Sequence, residues 1–288
     1  MTIKIVTDSS CDLGIDFVKK NNIEFVPLLL NLDGENIEDD LGKSLGYREF
    51  YDKLREGSMP STSQINIYTF EEKFRELLNE GYEILYVGLS SALSGTFNSA
   101  NMARNNILEE NPNAKISVVD SLSVSMGVGM LVKKSCDMIE EGKDLEYITT
   151  WIEENKNKVI HSILVDDLKH LKRGGRISAS TAAVGSLLNI KPILKIDNNG
   201  AVEATEKIKG KKKALKYLAT VVKEKALNIE SETLYIMHGD ALEEAQALKD
   251  IILQELNFKE IKIQYIGTVI GSHGGPGTIA TIFWGNER

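Results

Sequence analysis

Short apolar runs alternate with helical patterns through the first half of the chain, and no other feature restricts the fold as much. "TIKIVTD" predicts a strand, "LGIDFVKKN" a short helix and "IEFVPLLLNL" a second strand. "TFEEKFRELLNEG" predicts an amphipathic helix, opened by a capping box from Thr69 to Glu72 and closed by Gly81. "YEILYVGL" and "KISVVD" are two further strands, each followed by a helix, and the series ends in the helical "DLEYITTWIEENKNK". Strands separated by helices pair in parallel, so residues 1–158 are expected to form an N-terminal α/β lobe with a mostly parallel sheet.

The texture changes near residue 158. "VIHSILV" opens a new strand, "SASTAAVGSLL" has a helical pattern, and "KPILKIDNNGAVEATEKI" reads as two strands joined at Asn199-Gly200, a strong hairpin signal. A helix, the strand "TLYIMHG", another helix and two final strands around "SHGGPG" complete the expected C-terminal α+β lobe, residues 159–288. The expected fold class is therefore α/β in two lobes, with a ligand between them.

Composition and motif spacing exclude several functions. The formal net charge of -8 opposes non-specific attraction to nucleic acid or to an anionic membrane, and the basic run "KIKGKKKALK" reads as a solvated helix start. The N-terminal "MTIKIVTDSSCD" lacks the pattern of a secretory signal, and "VSMGVGMLV" is too short to span a bilayer, so a cytoplasmic protein without stable membrane insertion is expected. Cys11 and Cys136 have no CxxC partner and read as partly buried free thiols. His161, His170, His238 and His273 show no metal-ligand spacing, so neither a metal nor a redox cofactor is expected. "LGKS" at 41–44 lacks the first glycine of a P-loop, with Ile37 in its place; "GLSSA" at 88–92 has Ala92 where a nucleophile elbow needs glycine; "GVGML" lacks the third glycine of a dinucleotide fingerprint.

The remaining signal is a set of strand-to-helix turns rich in small hydroxyl residues: "TDSS" at 7–10, "PSTSQ" at 60–64, "SSALSGTFNS" at 90–99 and "DSLSVS" at 120–125. In a parallel sheet such turns collect at the carboxyl ends of the strands, where ligands bind. Any one of these hydroxyls is an ordinary helix cap. Four such loops together, with no Lys or Arg in them, suit one weakly anionic group such as a carboxylate better than a phosphate. The segments "VPLLLNL" and "VGSLLNIKPIL" are more apolar than a half-buried element needs. They read either as plain core or as the wall around an acyl chain, which at about 0.8 kcal/mol per buried methylene would bring on the order of 10 kcal/mol before ordering costs.

"TDSSCDL", "VPLLLNLDGENIEDD", "MPSTSQ", "SSALSGTFNSA", "VVDSLSVSMGVG", "LKRGGRIS", "LLNIKPIL" and "GSHGGPGT", in this order across the whole chain, resemble the DegV family of bacterial fatty-acid-binding proteins. The resemblance implies a two-lobe protein that buries a long-chain fatty acid such as palmitate and performs no catalysis itself. It further implies the acyl-carrying subunit of a fatty acid kinase, in which a separate ATP-binding protein phosphorylates the bound carboxylate to an acyl phosphate for lipid metabolism. On this basis Thr62 and Ser94 are the expected carboxylate ligands, Gly95, Thr96 and His273 lie by the same head group, and Arg176 and Lys209 are candidate contacts with the kinase partner. Ile65-Asn66 stands where many relatives continue "TSQ" with Pro-Ser, and Lys209 where kinase-coupled relatives carry arginine. Two alternatives stay open at this point: a lipid-responsive regulatory protein, and a serine hydrolase with Ser94 as nucleophile and His273 as base.

Overall fold

The computed structural model describes residues 2–177 and 189–288; the helix expected over "SASTAAVGSLL" lies outside the described residues. The first sheet has the order β2-β1-β6-β7, built from β1 (Ile3–Asp8), β2 (Glu24–Val26), β6 (Glu83–Gly88) and β7 (Ile116–Asp120). All three of its ladders are parallel, so its carboxyl ends carry the "TDSS", "SSALSG" and "DSLSVS" turns on one edge.

The second sheet has six strands in the order β10-β9-β8-β13-β11-β12. These are β8 (Val159–Leu164), β9 (Ile190–Ile196), β10 (Val202–Lys209), β11 (Thr233–His238), β12 (Glu260–Tyr265) and β13 (Ile279–Trp284). Only the β11–β12 ladder is parallel. The mixed α/β expectation therefore holds, with one parallel sheet in the first half of the chain and a separate, mostly antiparallel sheet in the second. The hairpin at Asn199-Gly200 also forms, but its turn spans five residues: the Asp197 carboxylate accepts from the amides of Asn199 and Ala201, both at 2.9 Å, and Gly200 takes φ 80°.

Three local expectations give way to tertiary structure. "IEFVPLLLNL" is two strands, because Pro27 has no amide to continue a ladder. Its second part, β3 (Leu29–Leu32), leaves the parallel sheet and pairs antiparallel with β4 (Glu35–Glu38) and β5 (Ser61–Ser63), a third sheet in the order β4-β3-β5. The helix expected from Thr69 begins at Ile67, and its cap is Asn66, whose side chain accepts from the Thr69 amide at 2.9 Å. "SHGGPG" starts inside the short helix Thr268–Gly274, which fills the interval between β12 and β13.

The two larger sheets share one core. Helix Met126–Glu140 is buried on nearly every side and belongs to a cluster that joins Leu85 and Val87 of β6 with Tyr235 and Met237 of β11 and Ile282 of β13. A helix buried over most of its circumference packs between layers and not on a surface. Its glycines serve that packing: a Cβ on Gly127 would lie 2.2 Å from His161 Nε2, and one on Gly129 2.7 Å from the Cys11 carbonyl. Both cysteines are buried free thiols. Among the described residues no helix is long and apolar enough to cross a membrane.

Candidate functional site

A cavity of about 900 Å³, counted to its mouth, lies where the three sheets meet. Leu28, Leu89, Leu93 and Val124 line it from the first half of the chain; Ile163, Leu171, Leu194, Ile196, Val269 and Ile282 line it from the second. The wall is mainly aliphatic. Its polar groups are few, as in most small-molecule sites: Thr62, Ser63, Gln64, Ser94, Arg176, His273 and Thr278, with Ser125 and His161 beside Val124.

Thr62 reaches the cavity from β5, where it pairs opposite Leu30. Its hydroxyl and Nε2 of His273 are 2.9 Å apart. Ile65 and Asn66 hold the exit from this loop without the expected proline: Ile65 is buried, its amide donates to Thr96 Oγ1 at 3.4 Å, and Asn66 caps the next helix. The loop is fixed by burial and capping, in place of the φ restriction that proline would supply.

Ser94 closes the turn after β6. Its hydroxyl shares a hydrogen bond with the Thr96 hydroxyl at 2.9 Å and accepts from the Thr96 amide at 3.3 Å. Thr96 begins a helix running to Glu110, so the positive end of a fifteen-residue helix sits behind Ser94. Gly95 and Thr96 do not themselves line the cavity. Gly95 makes room for it: a Cβ there would fall 2.0 Å from Oε1 of Gln64, whose amide nitrogen donates to Ser99 Oγ at 3.2 Å.

His273 stands in the last turn of helix Thr268–Gly274, and Gly174 packs against its other ring nitrogen so closely that a Cβ would lie 2.2 Å from Nδ1. Burial, with Arg176, Arg173 and His170 nearby, pushes the imidazole down to about 4, so it is neutral at neutral pH. His273 bonds Thr62 and not Ser94, so the nucleophile–base pair of the hydrolase alternative is not assembled. Arg176 joins the site by a route that the hydroxyl loops did not reveal. Its Nε donates to the Leu93 carbonyl at 3.0 Å and Nη1 to that of Gly174, which ties the "LKRGGR" turn to the Ser94 loop and leaves a guanidinium at the polar end of the cavity. Lys209 ends β10, is exposed and does not line the cavity.

The four hydroxyl loops do not all converge on one group, contrary to the reading from sequence. "TDSS" is spent on its own fold: Asp8 accepts from Tyr86 Oη and the Leu89 amide, both at 2.8 Å, and from Ser10, while Ser9 Oγ accepts from the Leu28 amide at 3.0 Å. In "DSLSVS", Ser123 Oγ accepts from Arg288 and Ser125 donates to the Asp12 carboxylate. Buried turns carry backbone groups that need partners, and these hydroxyls supply them. Only "PSTSQ" and "SSALSG" remain for a head group.

Fold and site together describe an α/β protein with a mostly aliphatic cavity whose polar lining includes the Thr62 and Ser94 hydroxyls, a neutral imidazole and a guanidinium. The chain belongs to the DegV family: the family model, described as an uncharacterised protein of that family, matches residues 2–285. A DegV domain-containing protein of Clostridium perfringens is 45% identical over 284 residues, 99% of this chain and 98% of that protein. Among solved structures, a fatty-acid-binding DegV protein of Thermus thermophilus superposes with a TM-score of 0.89 at 33% identity, covering 99% of this chain and 100% of that one. One from Eubacterium eligens, loaded with heptadecanoic acid, superposes with a TM-score of 0.84 at 28% identity, covering 99% and 100%.

Proposed function

We propose that this chain binds one long-chain fatty acid in the cavity between its sheets, with the carboxylate at Thr62 and Ser94 and the acyl chain along the aliphatic wall. The observation that carries the reading is the cavity itself: aliphatic over most of its surface and polar where Thr62, Ser94, His273 and Arg176 gather. Such a surface rewards a ligand with one charged end and a long apolar body. Two hydroxyls and a guanidinium can each donate to a carboxylate, and the neutral imidazole orients Thr62. The protein supplies no nucleophile or base in this scheme; it presents the carboxylate to a separate ATP-binding kinase for conversion to an acyl phosphate. Arg176, in the cavity lining, and the exposed Lys209 are the groups through which the partner or the phosphorylated head group would be engaged. Family resemblance supports that second step.

Mass spectrometry of protein purified from a heterologous host and extracted under denaturing conditions tests the first step. About one equivalent of long-chain fatty acid is expected, and finding none after lipid add-back would overturn it. The second step is tested with lipid-loaded His273→Ala and a cognate kinase. Retained fatty acid with sharply slower phosphorylation is expected, and an unchanged rate would remove His273 from the reaction.

A further inference from the structure

Asp12 holds two walls of the cavity at once. It is a buried residue of the "TDSSCD" turn after β1; one carboxyl oxygen accepts from the Gly267 amide at 3.0 Å, and the other bonds the Ser125 hydroxyl. Gly267 and Ser125 are the residues at which the helices Thr268–Gly274 and Met126–Glu140 begin, and neither carries a side-chain cap of its own. The first of these helices lines the cavity with Val269, Ile270, His273 and Gly274, while Ser125 lines it beside Val124. Both contacts lie away from the head-group end. Gly267 starts the helix whose other end, about 9 Å on, carries His273. The Val124 carbonyl lies 3.2 Å from Nε2 of His161, which pairs opposite Ile282. Ile282 in turn stands about 13 Å along the strand direction from Thr278, whose hydroxyl donates to the Gly274 carbonyl next to His273.

Ser125 adopts φ 53° and ψ -141°. A non-glycine residue at positive φ normally sits at ψ of roughly +30 to +60°, and the combination at Ser125 is one that L residues hold only where their surroundings impose it. Here Asp12 fixes the side chain, and the amides of Val128 and Gly129 bond the carbonyl at 3.0 and 3.4 Å. Burial, with Asp39 and Asp8 adding to it, raises the Asp12 carboxyl to about 8, so at neutral pH it is the uncharged acid, whose shape and hydrogen-bonding groups an asparagine reproduces. We propose that Asp12 is a positioning residue for the acyl chain: by tying Ser125 to Gly267 it keeps Ser125 strained and both walls fixed, so that the ligand orders no backbone when it binds. The inference rests on the fatty acid reading above and adds to it the device that sets affinity at the tail end. If the wall is preorganised at the expense of stability, relieving the strain leaves the protein no less stable but a weaker binder, an outcome that a purely structural role does not produce.

The test measures Tm and palmitate affinity at neutral pH on the delipidated parent, Ser125→Gly, Asp12→Asn and Asp12→Ala. Ser125→Gly is expected to match or exceed the parent in Tm, since the relieved backbone offsets the lost hydroxyl. It should bind palmitate roughly five- to thirtyfold more weakly, the penalty of re-ordering one residue's backbone on binding. Asp12→Ala should lose at least as much affinity, and Asp12→Asn should recover most of it. Parental affinity in Ser125→Gly overturns the proposal, as does a lowered Tm accompanying its weaker binding, or an Asp12→Asn as impaired as Asp12→Ala. Should Asp12→Ala not fold, Ser125→Gly decides the matter. A parent that binds no palmitate fails at the earlier step, so the two failures are distinct. The tie is then read without ligand, by amide hydrogen exchange over residues 124–128 in the empty parent and in Ser125→Gly: faster exchange in the variant is expected, and equal exchange overturns the tie.

Discussion

Replacing Thr62 by valine isolates the head group from the rest of the site. Valine keeps the shape and the strand preference of threonine on β5, so the pairing with Leu30 should stand. The hydroxyl is lost, and with it the 2.9 Å contact to His273 Nε2. In the empty protein that removes one neutral hydrogen bond, worth about 1 kcal/mol, and should lower Tm by roughly 2–4 °C for a chain of this size. In the loaded protein it also removes a donor to a carboxylate, worth about 1.5–3 kcal/mol, so palmitate affinity should fall roughly ten- to hundredfold. The assay is competition against a fluorescent fatty acid on delipidated protein, run in parallel with hexadecanol. The alcohol shares the tail but not the charge, so Thr62→Val should cost it far less than it costs palmitate. Equal losses for acid and alcohol would mean that the substitution damages the cavity generally. No loss for either, in a folded protein, would place the carboxylate elsewhere.

Other perturbations follow from the same geometry. Ser94→Ala should reduce palmitate affinity tenfold or more and destabilise the fold by about 1 kcal/mol, since the hydroxyl also accepts from the first amide of the helix Thr96–Glu110; thermal melts and the competition assay check both. Gly174→Ala should push a Cβ into His273 Nδ1, costing about 1–3 kcal/mol and several degrees of Tm, and a Tm equal to the parent's would refute the close packing. Asp12 accepts from Ser125 and the Gly267 amide, and burial raises its carboxyl to about 8. A raised folded value means stability that is complete below the ordinary carboxylate value and is lost as pH rises through the folded one, here by about 1.4 kcal/mol per unit between roughly pH 4 and 8. Asp12→Asn should flatten that decline in urea titrations, and an unchanged slope would refute the assignment.

What the sequence disclosed follows from how far each signal reaches. β1, β6 and β7 announce themselves because a strand buried on both faces must be a continuous apolar run, and the helices between them force the parallel order. β5 could not be found in this way: "STS" is three polar residues whose strand state comes only from pairing with β3, yet it carries Thr62. The break in "IEFVPLLLNL" was signalled by Pro27, but which sheet β3 would join is a matter of tertiary partners that no local pattern contains. Ser94 and His273 were legible as residues of glycine- and hydroxyl-rich turns. Their distances were not, and the pairing of His273 with Thr62 joins residues 211 positions apart in the chain. Arg176 was visible in "LKRGGRIS", but its place beside Leu93 depends on docking between the two halves of the molecule. The hydroxyl count misled for a physical reason: most serines at buried turns are consumed by backbone groups that would otherwise lack partners.

The site divides its work between the two ends of the proposed ligand. Each methylene moved from water to the aliphatic wall contributes about 0.8 kcal/mol, so the tail supplies most of the affinity and the head group need only fix register and orientation. That division suits the charges present. A head-group site with two cations would hold a carboxylate tightly but would also blunt its reactivity as a phosphoryl acceptor. Here burial and the neighbouring arginines keep His273 uncharged, leaving Arg176 as the cation that lines the cavity. A carboxylate arriving at Thr62 and Ser94 would offset the field of Arg176, one of the influences that hold His273 down, while the larger influence, burial, would persist. The imidazole would then remain a neutral hydrogen-bonding group through the physiological range. In the proposed reaction its contribution would be to position Thr62 and the carboxylate, and the transferred charge would be met by Arg176 and by groups of the kinase.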